Sequence, residues 1–331
     1  MTATPAKPID AHVHIVGNGA GGTGCWLRVR GWWHRPLAAL MVRACGLPGS
    51  ALTGDLDGLY VARLLELVRG SSLGAIVILA HENVYDHNGR VMDGVGSFYV
   101  PNDYVLKLAR EHPEFLPAVS IHPARPDAME ELERCLAGGA VIMKCLPNCH
   151  NLDCNDRRFT KFWERMAAAK LPLLAHTGGE HTVPVVRKEL ADPRVLTLPL
   201  ECGVTVIAAH CGTKSGVADP DYFETFVAMT HKYPRLYGDN SALNQLNRCK
   251  HLLDCRREGV VERMVHGSDF PVPITGHGAW LRGFVDWKTF RRWQRHPNIL
   301  ERDYQLKLAM GFPAESFTRV AGLLRPRAAQ K

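Results

Sequence analysis

Three features of this 331-residue sequence predict one α/β domain built as a (β/α)8 TIM barrel, with a long insertion after strand 1 and extra C-terminal helices. Short runs rich in Val and Ile recur along the chain, stretches of helical period separate them, and several runs end in a single polar or ionisable residue. Runs that are apolar on both faces suit the parallel strands at the centre of an α/β fold. Their alternation with helices implies repeated βα units.

The strand candidates are residues 8–15 (PIDAHVHI), 74–81, 115–122, 139–146, 171–177, 204–210, 235–241 and 262–269. Helices are expected between them at 57–68, 102–112, 127–137, 156–169, 183–190, 220–232 and 246–257. Several of these start at Asp or Asn, whose side chains accept from the first free amides of a helix. The connection 16–55 is an insertion with a glycine-rich start that runs through Trp26, Trp32 and Trp33. Long loops in compact domains are often functional, so a lid over the site is expected, with Trp32 and Trp33 as substrate-binding residues. After strand 8, the segment 276–324 holds a Trp-rich stretch (280–293) and helices at 301–310 and 314–324, which close the barrel. The whole chain, 1–331, reads as a single domain.

Composition narrows the function classes. Hydrophobic residues make up 46% and charged residues 22%, which suits a large core and excludes a disordered chain. The net charge of +7 is scattered, so nucleic acid is not an expected partner, although a positive field favours an anionic small molecule. Arg28, Arg30, Arg35, Pro36 and Arg43 break the greasiest stretch, and no membrane span is expected. No charged segment followed by an apolar one precedes strand 1, so the ten cysteines read as reduced and the location as cytoplasmic. Cys145, Cys149 and Cys154 lack the paired spacing of a zinc knuckle and read as buried thiols.

The chemistry starts at His12 and His14, two apart on strand 1 and therefore on one side of it. Sixteen histidines give about 0.8 such pairs by chance, so the pair alone decides nothing. The strand ends add weight: Lys144 closes strand 4, His176 strand 5, His210 strand 6 and Asp269 strand 8. In a barrel those ends meet at the C-terminal face, where such enzymes place their sites. His12, His14, His176, His210 and Asp269 are thus candidate metal ligands, with Asp269 also the candidate general base. An ammonium is repelled by a dication, so Lys144 is a substrate-binding cation, a neutral amine, or a carbamate able to bridge two ions. His122 on strand 3 and Asn240 on strand 7 are substrate-binding candidates at the same mouth. His266 is expected to face away from Asp269, Cys145 away from Lys144, and Ser241 lacks the turn of a nucleophilic serine.

DAHVH on strand 1, MKCLP on 4, LAHTG on 5, AAHCG on 6 and HGSDFP on 8 resemble the amidohydrolase superfamily, and most closely its amidohydrolase-related branch. The resemblance runs from Asp10 to about Leu324. It implies His12, His14, His176 and Asp269 on a first ion, with His210 on a second or polarising the substrate. It implies that Lys144 matches the carbamylated lysine of binuclear members such as phosphotriesterase and dihydroorotase. The branch also holds mononuclear decarboxylases of aromatic or enoic acids, such as aminocarboxymuconate semialdehyde decarboxylase.

The expected activity is metal-dependent hydrolysis. One or two divalent ions lower the pKa of a bound water, Asp269 takes its proton, and a carbonyl or phosphoryl group is attacked. Zinc is the expected ion, with Mn, Fe, Co or Ni compatible. The expected partner is a small molecule, anionic or with an apolar ring portion held by residues around 26–33 and 277–287, and a homodimer is compatible. The alternatives are a decarboxylase of the kind just named and a barrel that keeps its metal for stability alone.

Overall fold

A computed structural model describes residues 7–29 and 34–326. Trp32 and Trp33 lie outside the described residues. All eight expected strands form: β1 (Ile9–His14), β2 (Ala75–Leu79), β3 (Phe115–Val119), β4 (Ile142–Cys145), β5 (Leu173–His176), β6 (Val206–Ala209), β7 (Leu236–Asp239) and β8 (Met264–Val265). Each pairs in parallel with the next. Between β8 and β1, the Ala11 amide donates to the His266 carbonyl at 2.9 Å and the His14 amide to that of Phe270 at 2.7 Å, which closes the barrel.

The two-residue period of a strand decides what enters the barrel. On β4, Ile142 joins the interior while Met143 and Cys145 pack outward under the helices. On β5, Leu174 turns in and Leu173 and Ala175 turn out. The next inward positions are Lys144 and His176, at the C-terminal ends of their strands. On β1 the register slips between Asp10 and Val13. That bulge resets the alternation: Ala11 fills the interior, Val13 joins the outer core, and His12 and His14 face the barrel mouth. At the opposite end, Val320 packs into the interior cluster and the Arg325 amide bonds the Val141 carbonyl, sealing the bottom.

Most helices match their expected positions, and the departures have local causes. Residues 183–190 hold only the turn Lys188–Ala191, because Pro184 and three valines favour extended backbone; the Val186 and Arg187 amides bond the Asn148 carbonyl instead. Residues 246–257 break into the 3-10 turns Cys249–His251 and Asp254–Arg256, where Arg248 turns inward to bond the Gly179 and Thr213 carbonyls. The final expected helix stops at Thr318 and continues as the turn Arg319–Gly322. Among the elements outside the expected ranges are a ribbon pairing Trp26–Leu27 with Phe98–Tyr99, and a helix over His34–Ala44, both within or against the insertion. Among the described residues no helix is long and apolar enough to cross a membrane. All ten cysteines are free thiols.

Candidate metal centre

Three donor atoms meet at the C-terminal mouth. His12 Nε2 lies 3.2 Å from His14 Nε2 and 3.2 Å from Asp269 Oδ1, and His14 Nε2 lies 3.4 Å from the same oxygen. A tetrahedral centre with metal–nitrogen bonds of 2.0–2.1 Å has edges of about 3.3 Å, so the three atoms stand at the spacing of one polyhedron face. Among the described residues this is the one group of three metal-compatible side chains so close together. His176 adds a ring whose centroid is 4.9 Å from that of His210, and its Nε2 is buried with no hydrogen-bond partner in the protein. A buried ring nitrogen without a partner, next to His210, fits a site that takes a cation.

The surrounding hydrogen bonds orient the lone pairs. His12 Nδ1 donates to Asp239 Oδ2 at 2.8 Å, which leaves Nε2 unprotonated and facing His14 and Asp269. His210 Nδ1 donates to the Ser241 carbonyl at 3.0 Å, so its Nε2, 4.0 Å from Asp269 Oδ2, is likewise an acceptor. Asp239 Oδ1 accepts from the His210 amide, the Ser241 amide and the Ser241 hydroxyl. One carboxylate therefore ties β1 to the ends of β6 and β7.

Burial keeps these rings neutral. It holds His14 down to about 3 and His12, His176 and His210 far below the ordinary histidine range, with Lys144 adding to the shift at His12, His14 and His176. Burial also lowers Lys144, whose Nζ sits 3.0 Å from His12 Nε2, and raises Asp269 against the opposing pull of Lys144. His210 and Asp269 adopt left-handed backbone at φ 61° and 66°. That conformation costs of order 1–3 kcal/mol at a non-glycine residue and persists only where neighbours enforce it. Here the His210 amide is held by Asp239 and the Asp269 amide by the His12 carbonyl at 2.9 Å.

Two residues expected at the mouth, His122 and Asn240, make other contacts. His122 turns toward Tyr85 and Phe159 and accepts from the Ala124 amide, and Asn240 accepts from the Gly267 amide; neither lines the cavity. His266 does face away, against Tyr304 and Phe317. The sequence reading missed Asp239, Glu180 and Arg248. Asp239 was legible: Tyr237 borders the barrel interior, and two positions on is Asp239, not Asn240. Glu180, whose Oε2 lies 3.6 Å from His176 Nδ1, sits in a loop without periodicity. Arg248 is a buried guanidinium in the segment 246–257, expected to be a helix.

Above the centre lies a cavity of about 790 Å³. His14, His176, His210 and Asp269 contribute to its walls, as do residues of the 16–55 insertion. No residue of 277–287 lines it.

Residues 9–302 match the protein-family model described as Amidohydrolase. No curated protein gives a match. Solved structures that it resembles include an uncharacterised TIM-barrel protein from Bordetella bronchiseptica, at 19% identity and TM-score 0.57 over 91% of this chain and 99% of that one. A second is 5-carboxyvanillate decarboxylase from Sphingomonas paucimobilis, at 12% identity and TM-score 0.52 over 95% and 99%. A third is a putative amidohydrolase from Staphylococcus aureus, at 11% identity and TM-score 0.52 over 96% and 99%. At these identities the likeness carries the fold alone.

Proposed function

The chain belongs to the amidohydrolase family, and on that premise we propose that it is a metal-dependent hydrolase acting on a carbonyl or phosphoryl group of a small molecule. The observation that carries this reading is the split role of Asp269: Oδ1 faces His12 and His14, while Oδ2 faces His210. His12, His14 and Asp269, joined by His176, would hold a divalent ion, which when bound would supply Lewis acidity and make water acidic near neutral pH. Zinc suits the nitrogen-rich donor set, and Mn, Fe, Co and Ni are compatible with it. Asp269 Oδ2 takes the proton of the attacking water. The unprotonated His210 Nε2 is the next acceptor in line and passes the proton on toward the leaving group. Lys144, buried and depressed toward the neutral amine, adds carbon dioxide at Nζ with loss of a proton; as a carbamate it offers two oxygens beside His12.

A second reading, decarboxylation of an aromatic or enoic acid at a single ion, draws on Arg248. Its buried guanidinium bonds the carbonyl of Gly179, a cavity-wall residue, and bears electrostatically on His176, His210 and Asp269, which favours an anion at the centre. The deciding experiment assays metal-reconstituted protein against esters, lactones, amides and phosphoesters, and in parallel against aromatic and enoic acids for carbon dioxide release. Hydrolysis that a chelator abolishes and added metal restores is expected. Carbon dioxide release without hydrolysis of any member of the panel would put the second reading in its place.

A further inference from the structure

The cavity above the centre has two kinds of wall, and the kinds come from different parts of the chain. The strand ends supply the polar groups described above. The insertion supplies a wall that is mostly aliphatic, with Arg28 the charged residue among its described lining residues. In the ribbon, Leu27 pairs with Phe98, and both line the cavity, whereas Trp26 stacks on Tyr99 and Arg28 instead of lining it. In the helix His34–Ala44 the lining residues are Ala38, Met41 and Val42, followed by Cys45 just past its end. The spacing i, i+3, i+4, i+7 is a single face of a helix. Leu40, off that face, is 60% exposed. Leu52 and Leu56 continue the wall toward Tyr60, whose hydroxyl bonds the His14 carbonyl at 2.7 Å and so connects the apolar surface to the metal-binding strand.

We propose that this wall binds an alkyl chain, so that the substrate is an aliphatic acyl ester, lactone or amide whose carbonyl lies at His14, Asp269 and His210. The substrate class rests on the hydrolase reading above. Three observations favour an alkyl chain over a ring. The wall is built from branched aliphatic side chains and a methionine, which conform to a flexible ligand. Phe98, the aromatic contributed by the ribbon, already has one face taken by His81, with ring centroids 3.8 Å apart. The volume, about 790 Å³, is in the range that encloses most of a drug-sized ligand and far exceeds what a short polar acid fills.

The test is calorimetric titration of the metal-loaded full-length protein with straight-chain carboxylates from acetate to decanoate, with benzoate for comparison. Affinity is expected to rise about threefold to fourfold per methylene over several carbons, the gain for removing a methylene from water. Octanoate is expected to bind more tightly than benzoate. Affinity that stays flat from acetate to decanoate, or benzoate binding above octanoate, overturns the proposal. Met41→Gln and Leu27→Asn are expected to remove at least a tenfold share of decanoate affinity while leaving metal content and acetate binding as in the wild type. If either variant fails to fold, the wild-type series decides alone. Chain-length-dependent binding without hydrolysis of any ester removes the hydrolase reading and keeps the alkyl site. Hydrolysis at rates indifferent to acyl length does the reverse.

Discussion

Asp239 Oδ2 accepts a hydrogen bond from His12 Nδ1 at 2.8 Å, and neither residue has any exposed side chain. The contact decides which nitrogen of His12 carries the proton, and so which one is free for an ion. Carboxylates in this position commonly change metal affinity by about 10- to 100-fold when removed. Asp239→Ala is therefore expected to weaken zinc binding by about one to two orders of magnitude, measured by competition with a chromophoric chelator. Unchanged affinity would mean that the His12 ring is oriented by packing alone.

Asp269 combines two duties in one carboxylate. Asp269→Asn keeps the shape and one oxygen but offers no group able to take a proton at Oδ2. Turnover is expected to fall by about 10²- to 10⁴-fold, the usual contribution of a general base, while metal content falls less than it does in His14→Ala. Metal analysis of the two variants beside their rates separates these duties. A variant that retains full turnover removes Asp269 as the base.

Lys144 tests the number of ions. For protein purified without chelator and supplied with bicarbonate, the account predicts about two ions per chain, falling to one or none in Lys144→Ala. One ion in both proteins would make Lys144 a cation facing the substrate and would favour the decarboxylase reading.

Asp10 gives a pH prediction for the metal-free protein. Its carboxyl is fully buried, accepts from the His12 and Ser268 amides through one oxygen only, and is pushed by burial from 3.8 up to about 7. The folded state therefore holds a proton that the unfolded chain has released between those values. That contribution to stability is complete below pH 3.8 and is lost as pH rises through about 7. Asn at this position keeps the accepting oxygen and does not titrate. The melting temperature of Asp10→Asn relative to wild type, both treated with chelator, should climb as pH goes from 4 to 8. A constant difference would show that Asp10 is ionised throughout.

Behind the β8 end, Lys307 Nζ donates to the Gly267 carbonyl at 2.7 Å and to Asp303 Oδ2 at 2.6 Å, all fully or nearly fully buried. Removing one member of a buried ion pair leaves the other uncompensated, at a cost of about 3–5 kcal/mol. Lys307→Met is expected to lose that much in denaturant unfolding. A loss below about 1 kcal/mol would place the pair among those that packing can replace.

Much of the architecture was legible because it depends on period and on strand ends. Short apolar runs, most of them rich in Val and Ile, marked the eight strands, and the two-residue alternation carried Lys144 and His176 inward. What was not legible depends on contacts made across the chain. The β1 bulge that turns His12 and His14 to the mouth is a register effect between β1 and β2, with no local sign in DAHVH. Residues 183–190 carry Pro184 and three valines against a helix, and their amides, like the Arg248 side chain in 246–257, bond carbonyls of distant loops at Asn148, Gly179 and Thr213. The ribbon at Leu27 and Phe98 joins segments about 70 residues apart, which no local pattern reveals. The aromatic residues of 277–287 pack on one another, as Trp280 does on Trp287, and leave the cavity wall to residues of the insertion.

The central claim is that His12, His14 and Asp269 hold a divalent ion on which turnover depends. Elemental mass spectrometry of chelator-free wild type and His14→Ala, read beside their hydrolytic rates, tests it most directly. The account predicts at least one ion per chain in the wild type, with ion and activity lost together in the variant. A wild type that is folded, active and free of metal, or a variant that keeps both its ion and its rate, would contradict it.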